Sequence, residues 1–544
     1  MRINDTVTDV IKQGGKRRGA NMGILEIWHP DIEKFVTCKQ QEGKFENFNI
    51  SVMITPDFWE YYESGKNYPL KNPRNGEVWK RVDPRYLFES IAMMAWKTGD
   101  PGVVFLDNIN RRNVLKKAKG EIRSTNPCGE EPLYPYESCN LGSINFYAHV
   151  KEDENDNRFF DWEDLKVTIR IATRFLDNII DVNKFPFKKI ENTTKSSRKI
   201  GLGFMGLADV LFALKIPYSS EEGFEFMRKV TEFLTYHAML TSVERAKERG
   251  SFPLFEKSSY VDGEMPIEGY YHEDWWNLDW KKLNKMILKH GIRNAEVTTV
   301  APTGSISMIV DVSSGLEPQF ALIFEKRVPI GTFYYVDVEF ERQLKERGLY
   351  SEELLKKVAE NGGSVQGIDE IPEDMRNVFV VAYDIPWWDH VRAQVEVNKW
   401  ICAAVSKTIN MPNWVTPEDV QKAYLFGYKM GVKGITIYRE GSKAVQVLVT
   451  PSQRIGKYVL RIQNKTKEMM KNVGIELPVS NNNQPKLKMP EIKTKKVEEL
   501  VKSTSSLPSY EGNEVCPVCG SNRLVYEEGC VKCLDCNWSE CIVA

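Results

Sequence analysis

Apolar residues recur at helical spacing in several long segments, and these segments give the clearest secondary-structure predictions. Over 162–181 they lie on one stripe, which predicts an amphipathic helix with one buried face. The same spacing predicts helices over 84–98, 222–250 and 390–410. A Thr-Pro-Glu-Asp capping signal predicts another helix over 416–431.

Short apolar runs without proline predict the strands. These runs cover 45–55, 138–146, 297–300 and 434–442. A chain of 544 residues is too long for one ordinary domain, but a large α/β barrel with insertions could hold most of it.

The segment NPCGEEPLYPYESCNLGSIN, residues 126–145, combines reactive side chains with residues that break regular structure. Its prolines exclude helix and a paired central strand, so we expect an ordered loop with Cys128 near its tip. Cys128 can react covalently, Glu130 can act as base or acid, and Asn126 can donate and accept hydrogen bonds. A second cysteine, Cys139, opens the following strand. The residues alone give equal weight to a reactive thiol and to a buried structural cysteine.

The segment 297–320, VTTVAPTGSISMIVDVSSGLEPQF, places a β-branched run before a turn rich in hydroxyl groups. The turn leads into a helix whose first turn carries Thr303, Ser305 and Ser307. Hydroxyls and unpaired backbone N–H groups at a helix start favour an anion such as a phosphate. Plain N-capping by serine or threonine is the alternative, and in isolation it is the commoner explanation.

Two glycine-containing segments could contact a nucleotide, and their sequences support this interpretation to different degrees. KRRGANMG, residues 16–23, sets basic side chains beside glycines, which suits a phosphate, although a solvated basic turn is the simpler explanation for this stretch by itself. GLGFMG, residues 201–206, is similar to a dinucleotide fingerprint but lacks the surrounding βαβ pattern. Close backbone packing is the better interpretation of these glycines.

The amino-acid composition argues against several classes of protein. The chain is 42% hydrophobic and 27% charged, so a sizeable core is expected. The net charge of −1 gives no general basic field for nucleic acid or a membrane surface. The opening residues lack the apolar core of a signal peptide, and no apolar run is long enough to span a membrane. A cytoplasmic location is therefore expected.

Six of the ten cysteines lie in the last thirty residues, which suggests metal and redox work in a reducing compartment. Pairs of C-x-x-C separated by a hairpin-length segment favour tetrahedral zinc. Glycine or asparagine after the second cysteine of a metal knuckle is preferred because it tolerates positive φ. This preference selects as zinc ligands Cys516, Cys519, Cys533 and Cys536. It leaves Cys530 and Cys541 for thiol exchange, whereas the competing pairing leaves Cys536 and Cys541.

Composition also predicts three parts of the chain. We expect a catalytic barrel portion over 1–445, a variable segment with a flexible linker over 446–512, and a cysteine-rich zinc ribbon or redox tail over 513–544. The charge of the tail is mixed, which argues against a ribbon that binds nucleic acid.

The motif NPCGE…ESCNLGSIN closely resembles the finger loop and following strand of the ribonucleotide reductases, specifically those that depend on adenosylcobalamin. The resemblance extends over about 1–443. It implies a ten-stranded α/β barrel with the finger loop through its centre, here without its first part. A single tyrosine, Tyr438, stands where the iron-dependent class has a tyrosine pair, and no glycyl-radical signature is present near the C-terminus. Both absences favour the cobalamin-dependent class.

The resemblance also implies roles for individual residues. Cys128 would carry a transient thiyl radical that removes the 3′ hydrogen of the ribose, Glu130 would take the 3′ hydroxyl proton, and Asn126 would hold the substrate hydroxyls. Cys139 would be one of two thiols that reduce the 2′ position. The substrate diphosphate would bind the turn formed by Pro302, Thr303, Gly304, Ser305 and Ser307. An effector nucleotide would lie near Lys16, Arg17 and Arg18.

The same resemblance sets expectations about partners. The second reducing thiol would lie upstream of this chain, so a separate N-terminal portion is expected to complete the enzyme. Thioredoxin or glutaredoxin would reduce the tail dithiol, ribonucleotides would be substrates, and dNTP or ATP would be effectors. A homo-oligomer is expected for the assembled enzyme. The alternatives are a non-catalytic nucleotide-binding remnant and the large subunit of an iron-dependent reductase.

Overall fold

The computed structural model describes residues 1–13, 17–41, 43–328 and 331–442, together with the backbone of three short strands near the C-terminus. Contacts divide the chain into two units, Met1–Ser480 and Asn481–Ala544. Each unit is described by itself.

The first unit alternates helices and strands. Its α-helices are α1 (Arg2–Val10), α2 (Ile32–Val36), α3 (Pro56–Ser64), α4 (Pro84–Thr98), α5 (Leu106–Asn110), α6 (Lys116–Lys119), α7 (Trp162–Val182), α8 (Lys188–Ser197), α9 (Leu207–Ala213), α10 (Glu221–Arg249), α11 (Trp280–His290), α12 (Gly304–Ile309), α13 (Val338–Glu346), α14 (Glu352–Glu360), α15 (Glu373–Val378), α16 (Trp387–Asn398) and α17 (Pro417–Lys429). Its strands are β1 (Lys12–Gln13), β2 (Arg17–Arg18), β3 (Asn21–Glu26), β4 (Phe48–Ile54), β5 (Tyr68–Lys71), β6 (Val78–Val82), β7 (Gly102–Phe105), β8 (Asn140–Asn145), β9 (Val150–Glu152), β10 (Arg158–Phe160), β11 (Ile200–Met205), β12 (Ile323–Val328), β13 (Gly331–Val336), β14 (Thr408–Met411) and β15 (Gly434–Arg439).

Two groups of parallel strands carry the fold. In a five-stranded sheet of order β14-β15-β7-β4-β3, strands β3, β4 and β7 run parallel, and β14 runs parallel to β15. The groups meet where β15 pairs antiparallel with β7. Strand β8 pairs parallel with β11, and parallel bridges from Leu202 to Thr298 and from Val300 to Val405 link β11 towards β14. An α/β fold is confirmed, while the closed ten-stranded barrel stays a prediction.

Most of the predicted elements appear close to their expected bounds. The strand predicted over 45–55 is β4, and every residue of β4 except Asn49 is buried. Such a strand, covered on both faces, is typical of parallel sheets. The helices predicted over 84–98, 162–181 and 222–250 are α4, α7 and α10, so these predictions are confirmed.

Two predictions over the later part of the chain were wrong in detail. The helix expected over 390–410 is α16, which ends at Asn398, and Thr408–Met411 is instead the strand β14. The run 297–300 is extended but makes only isolated bridges. The capping signal before α17 is confirmed, since Thr416 and Asp419 form a capping box.

The glycines of 201–206 serve close backbone packing, as predicted. A Cβ atom at Gly203 would lie 2.4 Å from the backbone oxygen of Thr299. Only a residue without a side chain lets β11 approach the 297–300 segment this closely. Because Ile200–Met205 is a buried strand, these glycines do not form a phosphate-binding loop.

In the second unit the described backbone forms a three-stranded antiparallel sheet of β16 (Leu524–Glu527), β17 (Cys530–Cys533) and β18 (Ser539–Cys541). Its register sets Cys530 opposite Cys541 and Leu524 opposite Cys533. Among the described helices of both units, none has the length and apolarity needed to cross a membrane.

Candidate active site

The segment predicted to be a reactive loop is a tight hairpin with Cys128 at its tip. Thr125 and Pro132 form an antiparallel bridge, and the Asn126 N–H donates to the Glu131 carbonyl at 3.1 Å. Gly129, with φ of 80°, permits the turn after Cys128. The loop is therefore ordered by its own backbone, although prolines keep it from becoming a strand.

Hydrogen bonds on two sides hold the hairpin tip in place. On one side, Asn49 of β4 donates from its side-chain amide to the Pro127 carbonyl at 2.7 Å. On the other side, the Glu130 carbonyl accepts from the Ala404 N–H at 2.9 Å and from the Thr299 hydroxyl at 2.8 Å. Such double anchoring fixes the position of the thiol relative to the sheet.

A cavity of about 840 Å³ lies at the hairpin tip. This volume is within the range of sites that bind small molecules and nucleotides. Cys128 is exposed at the cavity, and Ser307 of the hydroxyl-rich turn lines the same space. The structure thus brings together at one cavity two motifs, about 180 positions apart, that the sequence had picked out separately.

The cavity wall also contains polar residues that sequence reasoning did not identify as functional. They include Asn49, Ser51, Asp100, Glu317, Lys407 and Asn410. Glu317 lies in SSGLEPQF, the last part of the 297–320 segment, and this is the one sequence feature that could have pointed to it. The others come from strands or strand ends, where only the fold brings them to the cavity.

In this wall the buried Lys407 forms an ion pair with the partly exposed Glu317. Lys407 also donates to Nδ1 of His390 at 3.0 Å, while Nε2 of His390 donates to the Ala382 carbonyl at 2.8 Å. Burial, followed by the charge of Lys407, lowers the pKa of His390 well below its usual value. His390 is therefore a neutral imidazole that orients the lysine.

Glu130 and Asn126 flank the thiol without lining the cavity. Glu130 is 2% exposed, and one of its carboxylate oxygens accepts no hydrogen bond from the described part of the chain. Burial raises the pKa of Glu130, although a hydrogen bond from the Asn126 side chain opposes the shift. A buried carboxyl with a raised pKa, two residues from a thiol, is suited to accept and return a proton.

The hydroxyl-rich turn has a defined internal geometry. Thr303 has φ of 54° and precedes α12, but its hydroxyl accepts from the Gly315 N–H at 2.8 Å and does not cap the helix. The hydroxyls of Ser307 and Ser314 are hydrogen-bonded at 2.8 Å, and both residues line the cavity. Pro302, Thr303, Gly304 and Ser305 do not line it. The Thr303 hydroxyl therefore does not serve as an N-cap of α12.

Cys139 lies just before β8 and faces a buried group of ionisable side chains away from the cavity lining. Burial, followed by the nearby Glu131 carboxylate, raises the pKa of Cys139 well above its usual value. Lys199 is 1% exposed and contacts Glu296 at 3.0 Å and Glu137 at 3.5 Å. Cys139 and Glu131 are not among the residues that line the cavity at Cys128.

The remaining predicted sites fall largely outside the described side chains. Lys16 is outside the described residues, and for Arg17 and Arg18 only the backbone of β2 is described. Cys516, Cys519 and Cys536 are also outside, and Cys530, Cys533 and Cys541 are described through their strands alone. Within the described residues no cluster of three or more His, Cys, Asp or Glu side chains could hold a metal ion.

Comparison with known proteins places the chain in a family. The model described as ribonucleotide reductase, barrel domain, matches residues 1–438. The chain belongs to the ribonucleotide reductase barrel family. Its α/β fold, with a hairpin between two groups of parallel strands, is the fold of a ribonucleotide reductase α subunit. The class Id ribonucleotide reductase α subunit of Actinobacillus ureae matches with a TM-score of 0.62 and 23% identity, over 80% of this chain and 72% of that one.

Similar proteins named as cobalamin-dependent reductases cover most of this chain. The vitamin B12-dependent ribonucleoside-diphosphate reductase of Thermoplasma acidophilum is 45% identical over 453 residues, which are 82% of this chain and 54% of that protein. The protein of the same name from Mycobacterium tuberculosis is 40% identical over 450 residues, covering 82% of this chain and 60% of the relative. The chain thus spans between half and two thirds of the length of these relatives.

Proposed function

We propose that the chain contributes the catalytic barrel for the reduction of ribonucleotides to 2′-deoxyribonucleotides by a thiyl-radical mechanism with adenosylcobalamin. The observation that carries this proposal is the position of Cys128, exposed at the tip of an anchored hairpin in a nucleotide-sized cavity. The relatives named as vitamin B12-dependent ribonucleoside-diphosphate reductases support it.

In the proposed reaction, the Cys128 sulfur takes the 3′ hydrogen from the ribose. Glu130 receives the 3′ hydroxyl proton, for which its buried carboxyl and raised pKa are suited. Asn126 holds the substrate hydroxyls and positions Glu130 through their hydrogen bond. Cys139 supplies one of the two reducing thiols. Double anchoring of the hairpin keeps the thiol at a fixed distance from the bound sugar.

The accessible thiol fits a cofactor that generates its radical directly at the cavity. Cobalamin supplies that radical chemistry when it is bound. Cys128 is the residue that would receive the radical, because among Cys128, Cys139 and Cys402 it alone is exposed and lines the cavity. The substrate in this proposal is a ribonucleoside diphosphate, as in the names of these relatives, or the corresponding triphosphate.

We assign the substrate phosphates to the turn of Pro302, Thr303, Gly304, Ser305 and Ser307, of which Ser307 reaches the cavity. The effector nucleotide is assigned to Lys16, Arg17 and Arg18. In the tail we propose zinc on Cys516, Cys519, Cys533 and Cys536. Cys530 and Cys541 form the exchanging dithiol in this proposal, which their directly opposed register supports. Thioredoxin or glutaredoxin would reduce that pair.

The decisive experiment compares Cys128→Ala with the matched variant Cys38→Ala, which removes a thiol that does not line the cavity. Each full chain is mixed with a separately expressed segment covering the part of the relatives that this chain does not span. Deoxynucleotide is then measured by chromatography with ribonucleoside diphosphate, adenosylcobalamin and dithiothreitol. We expect product from wild type and Cys38→Ala, and none from Cys128→Ala, which should unfold at the wild-type temperature.

Two results would contradict the proposal. Nucleotide binding without product from the wild-type mixture would indicate a non-catalytic remnant. Product that forms without cobalamin, and only after addition of a radical-generating second subunit, would indicate an iron-dependent enzyme.

A further inference from the structure

Three buried carboxyls, those of Glu131, Glu137 and Glu296, lie in the ionisable group around Cys139, and Lys199 pairs with two of them. Lys199 donates to the Pro132 carbonyl at 3.2 Å and forms ion pairs with Glu296 and Glu137 at 3.0 and 3.5 Å. Glu131 is left over: it is 3% exposed, and neither carboxylate oxygen accepts a hydrogen bond from an N–H or O–H donor in the described chain.

The fold makes space for this extra carboxyl. A Cβ atom at Gly201 would lie 2.7 Å from Oε1 of Glu131 and 2.7 Å from the methyl group of Thr299. The glycine of β11 therefore leaves the room that the Glu131 carboxyl occupies. A buried carboxyl in a site shaped for it, without an N–H or O–H donor, is costly as an anion and stable as a neutral acid.

The groups that face Glu131 determine its protonation. Burial, followed by the negative charge of Glu296, raises the pKa of Glu131 to about 8, while Lys199 and a hydrogen bond from the Cys139 thiol lower it, and Glu130 raises it slightly. A raised pKa of this kind favours the neutral carboxylic acid, and the Cys139 thiol is among the groups that act on it.

The sulfur needs such an acid when it leaves a disulfide. Burial and the Glu131 carboxylate raise the pKa of the Cys139 thiol well above its usual value. A thiolate with a high pKa is a slow leaving group in thiol–disulfide exchange. Reduction of a disulfide that contains Cys139 is therefore slow unless the sulfur is protonated as it departs.

We propose that Glu131 is the catalytic acid that protonates the Cys139 sulfur each time its disulfide is reduced, a role that rests on the proposed function. An external thiolate attacks the sulfur bonded to Cys139 and forms a new S–S bond as the old one breaks. The bonding electron pair stays on the Cys139 sulfur, which takes the proton of the Glu131 carboxyl. The Glu131 carboxylate then regains a proton from solvent, and a second external thiol completes the two-electron reduction.

The acid itself is tested in the chain without cofactor or substrate. Infrared difference spectra between about pH 6 and about pH 10 should show a protonated carboxyl that is lost in Glu131→Gln and retained in the matched variant Glu296→Gln. Glu296 is buried in the same group but acts on the thiol through its charge alone, whereas Glu131 acts through both its charge and a hydrogen bond. A carboxyl band unchanged by Glu131→Gln would overturn the proposal.

The role in turnover is tested with the assembled, cofactor-loaded enzyme. Pre-reduced enzyme needs no disulfide reduction for its first turnover, but every later turnover does. In Glu131→Gln we expect the steady-state rate with dithiothreitol to fall about 10²-fold, the lower range of general-acid effects, and the first turnover to be affected far less. The fall of the wild-type steady-state rate above about pH 8 should also disappear in this variant.

Glu131→Asp, which keeps an acid but shortens its reach, should recover part of the steady-state rate. Equal losses in first and later turnovers of Glu131→Gln would refute the role in reduction. Absence of any first turnover in wild type would instead refute the proposed function, while the infrared result would still decide whether Glu131 is an acid.

Discussion

Lys199 is the best position at which to test how the base of the finger hairpin is stabilised. The change Lys199→Met removes an ammonium group that is 1% exposed and keeps a side chain of similar length. Glu137 would retain Lys119 at 3.3 Å and the Ser197 hydroxyl at 2.6 Å. Glu296 would lose the ion pair that Lys199 provides at 3.0 Å.

The expected cost is about 3–5 kcal/mol of unfolding free energy, the usual loss when one partner of a buried ion pair is removed. The effect should depend on pH with a defined sign. Burial opposes ionisation of Glu137, but Lys199 and Lys119 outweigh it and lower the pKa of Glu137 below its ordinary value of 4.5. The stabilisation from this pair is therefore present above pH 4.5 and is lost as pH falls through the folded pKa of Glu137.

Urea unfolding followed by circular dichroism measures this loss. Lys195→Met is the matched control, because Lys195 is 37% exposed and pairs with Glu191 at the surface, where ion pairs contribute little. A Lys199→Met variant as stable as Lys195→Met, or one whose penalty grows at acid pH, would refute the reasoning.

Two further predictions concern stability. Gly203→Ala should lower the free energy of unfolding by about 1–3 kcal/mol or more through overpacking, since its Cβ would lie 2.4 Å from the Thr299 oxygen. Gly304→Ala, whose Cβ would have no atom within 4 Å, should leave stability unchanged or raise it. The urea midpoints of the two variants test this prediction. Because the pKa of Glu131 is raised from 4.5 to about 8, the folded state binds more protons than the unfolded state between these values, so stability should fall as pH rises through that window. The fall should amount to at most about 5 kcal/mol and should be absent in Glu131→Gln; equal pH slopes in the two proteins would contradict it.

Sequence periodicity was most successful where one face of a helix packs on the core. Helix α4 has the predicted bounds and α7 extends one residue beyond its prediction, because their apolar stripes are set by burial alone. The prediction failed at Thr408–Met411, where a short strand follows a helix and its apolar residues fit either period. Pairing with β15, a contact made by a distant part of the chain, decides that segment.

The residues of the candidate site also fall into two sets: those that the sequence pointed to and those that only the fold brought together. Cys128, Glu130 and Asn126 were identifiable from the sequence because reactive side chains stand among prolines that exclude regular structure. Lys407 and Glu317 were not, since each looks like an ordinary surface residue until the fold pairs them and buries Lys407 against His390.

The sequence by itself determined that Cys128 lies at the tip of an ordered loop, because the restrictions that proline places on the backbone are local. Only the tertiary structure decided which charges are paired. It pairs Lys199 with Glu296 and Glu137 and leaves the Glu131 carboxyl, whose pKa is raised by burial, without an ion pair in the described chain. Pairing and desolvation depend on distances between residues far apart in the chain, and periodicity carries no record of those distances.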